Sequence, residues 1–233
     1  MKAKLIEKKE IAEGTLYTKF SLEENIIFKA GQFFKLKLID PSYTDERGNE
    51  RFVGFVNSPS DNKVIETVVR KGPSAFKRSL SELIEGTEVE VGEVSGEMLS
   101  PEDQNTSWVI VAGGIGIVPY MSMFRVMKEK GLSLDTTLVY SNTKESWVIF
   151  MDELGEYAKD DNFKFIPTMT QDDSWEGEKR RIDEEFIKEK VSSLENSLFY
   201  ISGTPRFVPD MVKAVKNLGV QQRNLKFEVF TGY

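Results

Sequence analysis

The sequence predicts two domains, an antiparallel β-barrel followed by an α/β doubly wound parallel sheet. Through the first hundred residues apolar and polar side chains alternate, which is the period of half-buried strands. After the polar linker SPEDQNTS (residues 100–107), continuous apolar segments alternate with helical ones, which is typical of a parallel sheet. A chain of 233 residues is long enough for two domains of about 100 residues each. We therefore expect one domain at residues 1–102 and a second at residues 103–233.

In the first domain, six segments carry the alternating pattern of strands and one segment carries a helical pattern. Ser74 is a suitable N-cap for a helix that ends at Leu83, with Phe76, Leu80 and Leu83 on its apolar face. Several short strands together with one helix favour an antiparallel barrel. The strands are predicted at residues 2–6, 15–22, 31–39, 51–57, 64–70 and 87–91.

In the second domain, strands and helices alternate along the chain. Parallel sheets bind ligands at the carboxyl ends of their strands. Two glycine-containing segments fall at such ends, one after Ala112 and one at residues 202–205 (SGTP). Strands are predicted at residues 108–112, 137–140, 163–167 and 198–201, and helices at residues 119–130, 152–159, 184–191 and 208–218.

The segment VIVAGGIGIVP (residues 109–119) joins a buried strand to a helix. Gly113, Gly114 and Gly116 allow a sharp turn and the close approach of a ligand. Pro119 suits the first turn of the helix, whose free N–H groups and dipole favour a pyrophosphate. A tight turn that needs small residues for packing alone explains the same glycines equally well.

The composition excludes several classes of function. The chain has no Cys and no His, which excludes disulfides, iron–sulfur clusters, zinc sites of the usual type and Ser–His–Asp catalysis. The net charge of −7 argues against binding to nucleic acid. No apolar run approaches the roughly 20 residues of a membrane span, and the N-terminal residues do not resemble a signal peptide, so we expect a cytoplasmic protein. An enzyme of this composition would depend on carboxylates or a bound organic cofactor.

Four segments occur in the order found in a known family. They are AGQFFKLKL before Arg51, AGGIGIVPYMSM, YISGTPRFVPDMV and the closing KFEVFTGY. Together they resemble the ferredoxin–NADP reductase superfamily. The resemblance implies that the barrel carries FAD, that the second domain carries NADPH or NADH, and that a hydride passes from the nicotinamide to flavin N5. The electron acceptor implied is a ferredoxin, a flavodoxin, an oxygenase or a small molecule.

The family's flavin motif, Arg-x-Tyr/Phe-Ser, reads Arg51-Phe52-Val53-Gly54 in this chain. The resemblance implies that Arg51 pairs with the FAD pyrophosphate, since its guanidinium suits phosphate oxygens. Val53 replaces the aromatic residue, and Gly54 replaces the serine whose hydroxyl would face N5. Only the backbone N–H of Gly54 is left for that contact.

Further flavin residues are implied by the resemblance. A second segment begins near Val68 and runs to the helix capped by Ser74, whose first N–H groups suit a phosphate. At the chain end, Phe230 aligns with the aromatic residue that covers the flavin, and Glu228 with a nearby carboxylate. The implied FAD contacts are Arg51, Phe52, Val53, Gly54, Val68, Arg70, Gly72, Ser74, Phe230 and Tyr233.

The resemblance places the nicotinamide nucleotide on the second domain. Ser202 stands where many relatives have a Cys beside the nicotinamide. After the second strand of the sheet, Ser141 and Lys144 suit the 2′-phosphate of NADPH, whereas Glu145 suits the free ribose of NADH, so both nucleotides remain open. The implied nucleotide contacts are Gly113, Gly114, Gly116, Pro119, Ser141, Lys144, Gly203 and Pro205, and the implied catalytic residues are Gly54, Ser202, Glu228 and Phe230.

Two alternatives to a complete reductase follow from the altered flavin motif. The first is a non-enzymatic protein that binds a nucleotide and has lost its flavin. The second is an electron-transfer subunit that is active only within a larger complex. The lack of Cys counts against the versions of that subunit that carry an iron–sulfur site.

Overall fold

A computed structural model describes residues 1–100, 106–133 and 135–231. The contacts within it divide these residues into two compact units. The first comprises Met1–Ser100 and Val118–Lys130, and the second comprises residues 106–117 and, apart from residue 134, residues 131–231. The predicted domain boundary between residues 102 and 103 lies outside the described residues.

The first unit is a six-stranded antiparallel sheet with two helices. The backbone N–H of Val56 donates to the Glu66 carbonyl at 2.8 Å, so the chain leaving one edge strand bonds to the opposite edge strand and gives a barrel-like sheet. All six predicted strands are present. They are β1 (Lys2–Ala12), β2 (Thr15–Leu22), β3 (Phe33–Leu38), β4 (Glu50–Gly54), β5 (Val64–Arg70) and β6 (Glu88–Ser95), in the order β4-β3-β6-β1-β2-β5, with helices α1 (Ala75–Glu82) and α2 (Val118–Glu129).

The inward faces of these strands form one apolar core. The Phe28 and Phe55 rings stack with their centroids 3.8 Å apart, and the Phe34 ring lies 4.6 Å from that of Phe55. Of the apolar face predicted for α1, Phe76 and Leu80 are buried in the same core and Leu83 is partly buried against it. The alternation of apolar and polar residues predicts these strands correctly, because each strand has one face on this core and one towards solvent.

Helix α2 is held on the barrel by polar contacts. The buried Ser122 hydroxyl donates to the Asn57 carbonyl at 2.7 Å, and the Arg125 guanidinium lies 2.6 Å from the Glu66 carboxylate. The Asn57 side chain donates to the Val64 carbonyl at 2.8 Å and accepts from the Glu66 N–H at 2.9 Å. Chain order places α2 with the second domain, whereas these contacts place it in the first unit.

The second unit is a five-stranded sheet in which every pair of neighbouring strands is parallel. The four predicted strands are present, and β11 at the chain end is an addition that the pattern does not predict. The elements are β7 (Ser107–Gly113), β8 (Thr136–Asn142), α3 (Met151–Tyr157), β9 (Phe163–Met169), α4 (Glu184–Lys190), β10 (Ser197–Gly203), α5 (Phe207–Asn217) and β11 (Leu225–Val229), with the strand order β11-β10-β7-β8-β9.

The predicted fold class, an antiparallel barrel followed by a doubly wound parallel sheet, is confirmed. Within the described ranges, no helix combines the length and the apolar character that crossing a bilayer requires.

Candidate functional sites

The carboxyl edge of the parallel sheet brings together residues from four predicted segments. Ser202 on β10 pairs with Ala112 on β7 and with Glu228 on β11. Gly113, one residue beyond Ala112, pairs with Ser141 on β8. Four of the predicted residues, Gly113, Ser141, Ser202 and Glu228, therefore lie at the same edge, where parallel sheets bind ligands.

The glycines that follow β7 are required by close packing. A Cβ on Gly116 would lie 2.5 Å from the Ser202 carbonyl oxygen and 2.8 Å from the Gly203 nitrogen, and these are backbone atoms that have no room to move. A Cβ on Gly113 would lie 2.9 Å from the Phe207 ring. Packing alone therefore accounts for both glycines, and their contact with a phosphate remains a prediction.

The Ser202 side chain fastens this glycine turn to β10. Its hydroxyl is fully buried and donates to the Gly116 carbonyl at 2.6 Å. A hydroxyl that donates its one proton in this way still has lone pairs with which to accept a hydrogen bond. A ligand at this edge would therefore meet Ser202 as an acceptor.

Glu228 is the titratable group at this edge whose environment is most unusual. Its Oε2 atom is buried and has no hydrogen-bond partner among the described residues. Burial disfavours the charged form and raises the pKa of Glu228 to about 7. Near neutral pH this carboxyl group can therefore hold or release a proton.

Phe230 is anchored to the same edge through its backbone. Its N–H donates to the Gly203 carbonyl at 2.9 Å, and its side chain is partly buried. Pro205 lies just after β10 and is exposed, whereas Pro119 lies in the first turn of α2 and is buried. The predicted FAD residue Tyr233 lies outside the described residues.

The turn after β8 carries charges of both signs. Lys144 and Glu145 are exposed, and the Glu145 N–H donates to the Asp172 carboxylate at 2.9 Å. Asp172 thus brings a second carboxylate to the turn that contains Ser141 and Lys144. The added negative charge opposes a 2′-phosphate at this position.

Asn142, the last residue of β8, is a candidate site residue that the sequence analysis did not name. It is 5% exposed, and neither its amide nitrogen nor its amide oxygen has a hydrogen-bond partner among the described residues. Buried amides are normally paired, so this side chain has capacity for a ligand or a water. Nothing in the sequence separates it from an ordinary asparagine in a turn.

In the first unit, Arg51 lies beside the N-terminus of α1. Its Nη1 donates to the Arg47 and Gly48 carbonyls at 2.8 and 3.1 Å, while its buried Nη2 has no hydrogen-bond partner among the described residues. The nearest carboxylate oxygen, on Asp45, lies 3.8 Å from Nη2. Arg51 therefore keeps one donor group available for an anion.

Asp45 occupies the start of α1. Its carboxylate accepts from the Ala75 N–H at 2.9 Å and from the Arg47 N–H at 3.0 Å, and these bonds hold the pKa of Asp45 below its usual value. Ser74 caps the helix, since its Oγ accepts from the Lys77 N–H at 3.4 Å. The sequence identified Ser74 and missed Asp45.

Arg47 and Arg51 both lower the pKa of Asp45, and a third cation, Lys77, lies within the influence of the two arginines. Burial and the charges of Arg47 and Arg51 lower the pKa of Lys77, which shows that these positive groups repel one another. Gly72 lies against Lys77, because a Cβ there would be 3.1 Å from the Lys77 Cδ. Two carboxylates, Asp45 and Glu50, act on Arg51 against the three positive charges of Arg47, Arg51 and Lys77, so the cluster keeps a net positive charge that suits an anion.

The remaining predicted flavin residues have diverse surroundings. Val53 is buried in the barrel core, and Val68 is buried too. Phe52 is half exposed and packs edge-on against Phe33, with ring centroids 5.3 Å apart. The Arg70 guanidinium donates to the Glu13 carbonyl at 3.1 Å.

Comparisons with known proteins match the chain to a model of an oxidoreductase domain and to curated relatives that align with most of its length. Residues 110–214 match a family model described as an oxidoreductase NAD-binding domain. A flavohemoprotein of Bacillus subtilis is 24% identical over 212 residues, which cover 87% of this chain and 51% of that protein. Reductase component 1 of a terephthalate 1,2-dioxygenase from a Comamonas species is 23% identical over 210 residues, which cover 87% of this chain and 59% of that protein.

A solved structure matches the whole fold. A ferredoxin NADP⁺ reductase from Neisseria gonorrhoeae with bound FAD and NADP has a TM-score of 0.81 and 21% identity, and the match covers 100% of this chain and 98% of that chain. The chain spans only about half of the two curated relatives above, 51% and 59% of their lengths.

The bond between Ser202 and Gly116 predicts a difference between two serines of β10. Ser197→Ala is the matched control, because its buried hydroxyl also donates to a carbonyl, that of Ser193, at the opposite end of the strand. Loss of either bond should lower the free energy of unfolding in denaturant by about 1 kcal/mol. Only Ser202→Ala should weaken the binding of NADH or NADPH, as measured by calorimetry. Equal nucleotide affinity in the two variants would contradict the prediction that Ser202 lies at the nucleotide site.

The raised pKa of Glu228 predicts a pH-dependent stability. Ionising a buried carboxyl group costs free energy in the folded state, so its contribution is favourable below pH 4.5 and is lost as the pH rises through about 7. The free energy of unfolding of Glu228→Gln relative to wild type should rise by about 2 kcal/mol across that range, allowing for partial exposure. Urea unfolding at several pH values measures it, with Glu176→Gln, an exposed glutamate of the same unit, as the control. A difference that stays constant with pH would refute the assignment.

Proposed function

We propose that the chain, which resembles the ferredoxin–NADP reductase superfamily and matches a model of an oxidoreductase NAD-binding domain over residues 110–214, is an NAD(P)H-dependent flavoprotein reductase. In this proposal it binds FAD on the antiparallel unit and NADH or NADPH on the parallel unit, and delivers electrons to a separate acceptor.

The observation that carries the proposal is the cation cluster at the start of α1. Arg51 has a buried Nη2 without a hydrogen-bond partner among the described residues, and Arg47 and Lys77 add two further positive charges. The fork of a guanidinium group matches phosphate oxygens, and the N-terminus of α1 adds the positive end of a helix dipole. The FAD pyrophosphate fits this chemistry.

When bound, FAD supplies the hydride acceptor and the store from which electrons leave one or two at a time. The chain supplies position and protons. Arg51 and the first turn of α1 hold the pyrophosphate, and Gly54 offers a backbone N–H at the flavin. In the parallel unit Ser202 accepts a hydrogen bond at the nicotinamide, and Glu228 holds a proton near neutral pH.

The choice between the two nucleotides rests on the turn after β8. Ser141 and Lys144 favour the 2′-phosphate of NADPH. Glu145 and Asp172 favour the free ribose of NADH. Both nucleotides are therefore compared in the experiment below.

The structure supports a proposal for the chemical class of the electron acceptor, but for no individual protein. This chain has no Cys, so it holds no iron–sulfur cluster of its own. A dioxygenase reductase component is among its relatives. We therefore propose that the acceptor is a ferredoxin, a flavodoxin or an oxygenase, with a small molecule as the simplest case.

A nucleotide-binding protein without flavin is the second candidate. Gly54 lacks the hydroxyl of the family motif, and Asp45 already occupies the anion position at α1. Under this hypothesis the parallel sheet still binds a nucleotide, but no hydride transfer follows.

The absorption spectrum of the purified protein distinguishes the two candidates. We expect a yellow protein, or one that becomes yellow with added FAD, whose blue absorption band bleaches when NADPH or NADH is added without oxygen. The nucleotide that bleaches it faster is the physiological donor. A colourless protein that takes up no FAD but binds a nucleotide would establish the second candidate.

The position of the Asp45 carboxylate at the start of α1 predicts that it competes with the FAD pyrophosphate for the same N–H groups. Asp45→Asn keeps an oxygen for the Ala75 N–H but removes a negative charge from the pyrophosphate position. FAD should therefore bind about fivefold to tenfold more tightly, the effect of removing one nearby repulsive charge. Quenching of flavin fluorescence during titration measures the affinity.

Glu46→Gln is the matched control, because it removes one negative charge from an exposed neighbour on the same loop. If Glu46→Gln raises FAD affinity as much as Asp45→Asn does, overall charge explains the effect and the placement of Asp45 in the pyrophosphate position is wrong.

A further inference from the structure

Gly54 is the last residue of β4, and its backbone N–H and carbonyl groups are not bonded to the neighbouring strand β3. The Phe55 N–H donates to the Gln32 carbonyl at 3.2 Å, which marks a hydrogen-bonded pair. In an antiparallel ladder bonded and non-bonded pairs alternate, so the next pair, Phe33 with Gly54, is non-bonded. The N–H and carbonyl of Gly54 therefore point away from β3.

The space that a side chain at position 54 would need is already filled. A Cβ on Gly54 would lie 2.7 Å from Cγ1 of Val118 and 3.7 Å from its Cβ. Val118 is 3% exposed and is the first residue of α2. A contact of 2.7 Å between carbon atoms is not tolerated, so any larger residue at position 54 must move Val118.

Val118 has little freedom to move. Helix α2 is fixed to the barrel by the bond from the Ser122 hydroxyl to the Asn57 carbonyl and by the ion pair of Arg125 with Glu66. The valine side chain is also stiff at χ1 because it is branched at Cβ. The absence of a side chain at Gly54 and the fixed position of the Val118 side chain are therefore sterically complementary.

We propose that Val118 is a positioning residue for the flavin, since its methyl group fills the space of a side chain at position 54 and leaves the backbone N–H as the one group of Gly54 that could donate to flavin N5. This inference rests on the proposed function. A backbone N–H only donates, whereas a serine hydroxyl both donates and accepts.

The difference between a backbone N–H and a serine hydroxyl affects the relative stability of oxidised and reduced FAD. N5 of oxidised FAD accepts a hydrogen bond, and N5 of two-electron-reduced FAD carries a proton that needs an acceptor. A site with only the Gly54 N–H at N5 favours the oxidised form over the reduced form. Restoring a hydroxyl at position 54, with room made at position 118, should therefore raise the midpoint potential of the bound FAD.

A double-mutant cycle tests the inference with Gly54→Ser, Val118→Ala and the double variant. Gly54→Ser alone should lower the melting temperature and weaken FAD binding about tenfold, the scale expected of coupled neighbours. Adding Val118→Ala should restore both. The double variant should also have a higher FAD midpoint potential than wild type, in a redox titration with indicator dyes.

Gly92→Ser is the matched control, also combined with Val118→Ala. Gly92 lies on β6 in the same unit, and a Cβ there would be in ordinary contact, 3.5 Å from the Lys35 Cβ. It should show no coupling with Val118 in melting temperature or FAD affinity.

The outcomes separate this inference from the proposed function. If wild type binds FAD but Val118→Ala does not rescue Gly54→Ser, or the double variant has an unchanged potential, the inference alone is overturned. If wild type binds no FAD at all, the proposed function and the inference fail together.

Discussion

The close approach of the Gly116 backbone to Ser202 is the contact on which the arrangement of the carboxyl edge of the parallel sheet depends. A Cβ at position 116 would lie 2.5 Å from the Ser202 carbonyl oxygen, and the buried Ser202 hydroxyl adds a bond of 2.6 Å to the Gly116 carbonyl. This contact joins the turn after β7 to β10. Because β11 pairs with β10, Glu228 and Phe230 are carried to the same edge. One close contact therefore brings the glycine turn, Ser202, Glu228 and Phe230 to one edge of the sheet.

Charge has the corresponding role in the first unit. The positive charges of Arg47, Arg51 and Lys77 repel one another near the start of α1, and the carboxylates of Asp45 and Glu50 offset part of that repulsion at Arg51. With Glu50 as a second carboxylate acting on Arg51, the cluster still has one more positive charge than negative, and it has capacity for an anionic ligand. The proposed pyrophosphate site and the proposed competition by Asp45 are two consequences of this imbalance.

The sequence predicted what depends on local pattern and missed what depends on distant partners. The barrel strands alternate because one face is buried, and the glycine turn is recognisable because its residues are adjacent. β11 was missed, since a short segment near the chain end carries no distinct period. Asp45, Asn142 and Val118 were missed because their surroundings come from residues far along the chain. The period of α2 predicts a helix, but it does not say which unit buries that helix.

A crystal structure of the protein with FAD bound tests the central claim most directly. The account predicts that the pyrophosphate lies between Arg51 and the first turn of α1, with the Asp45 carboxylate displaced and the Gly54 N–H directed at flavin N5. FAD bound on the parallel unit, or a pyrophosphate with no contact to Arg51, would contradict it.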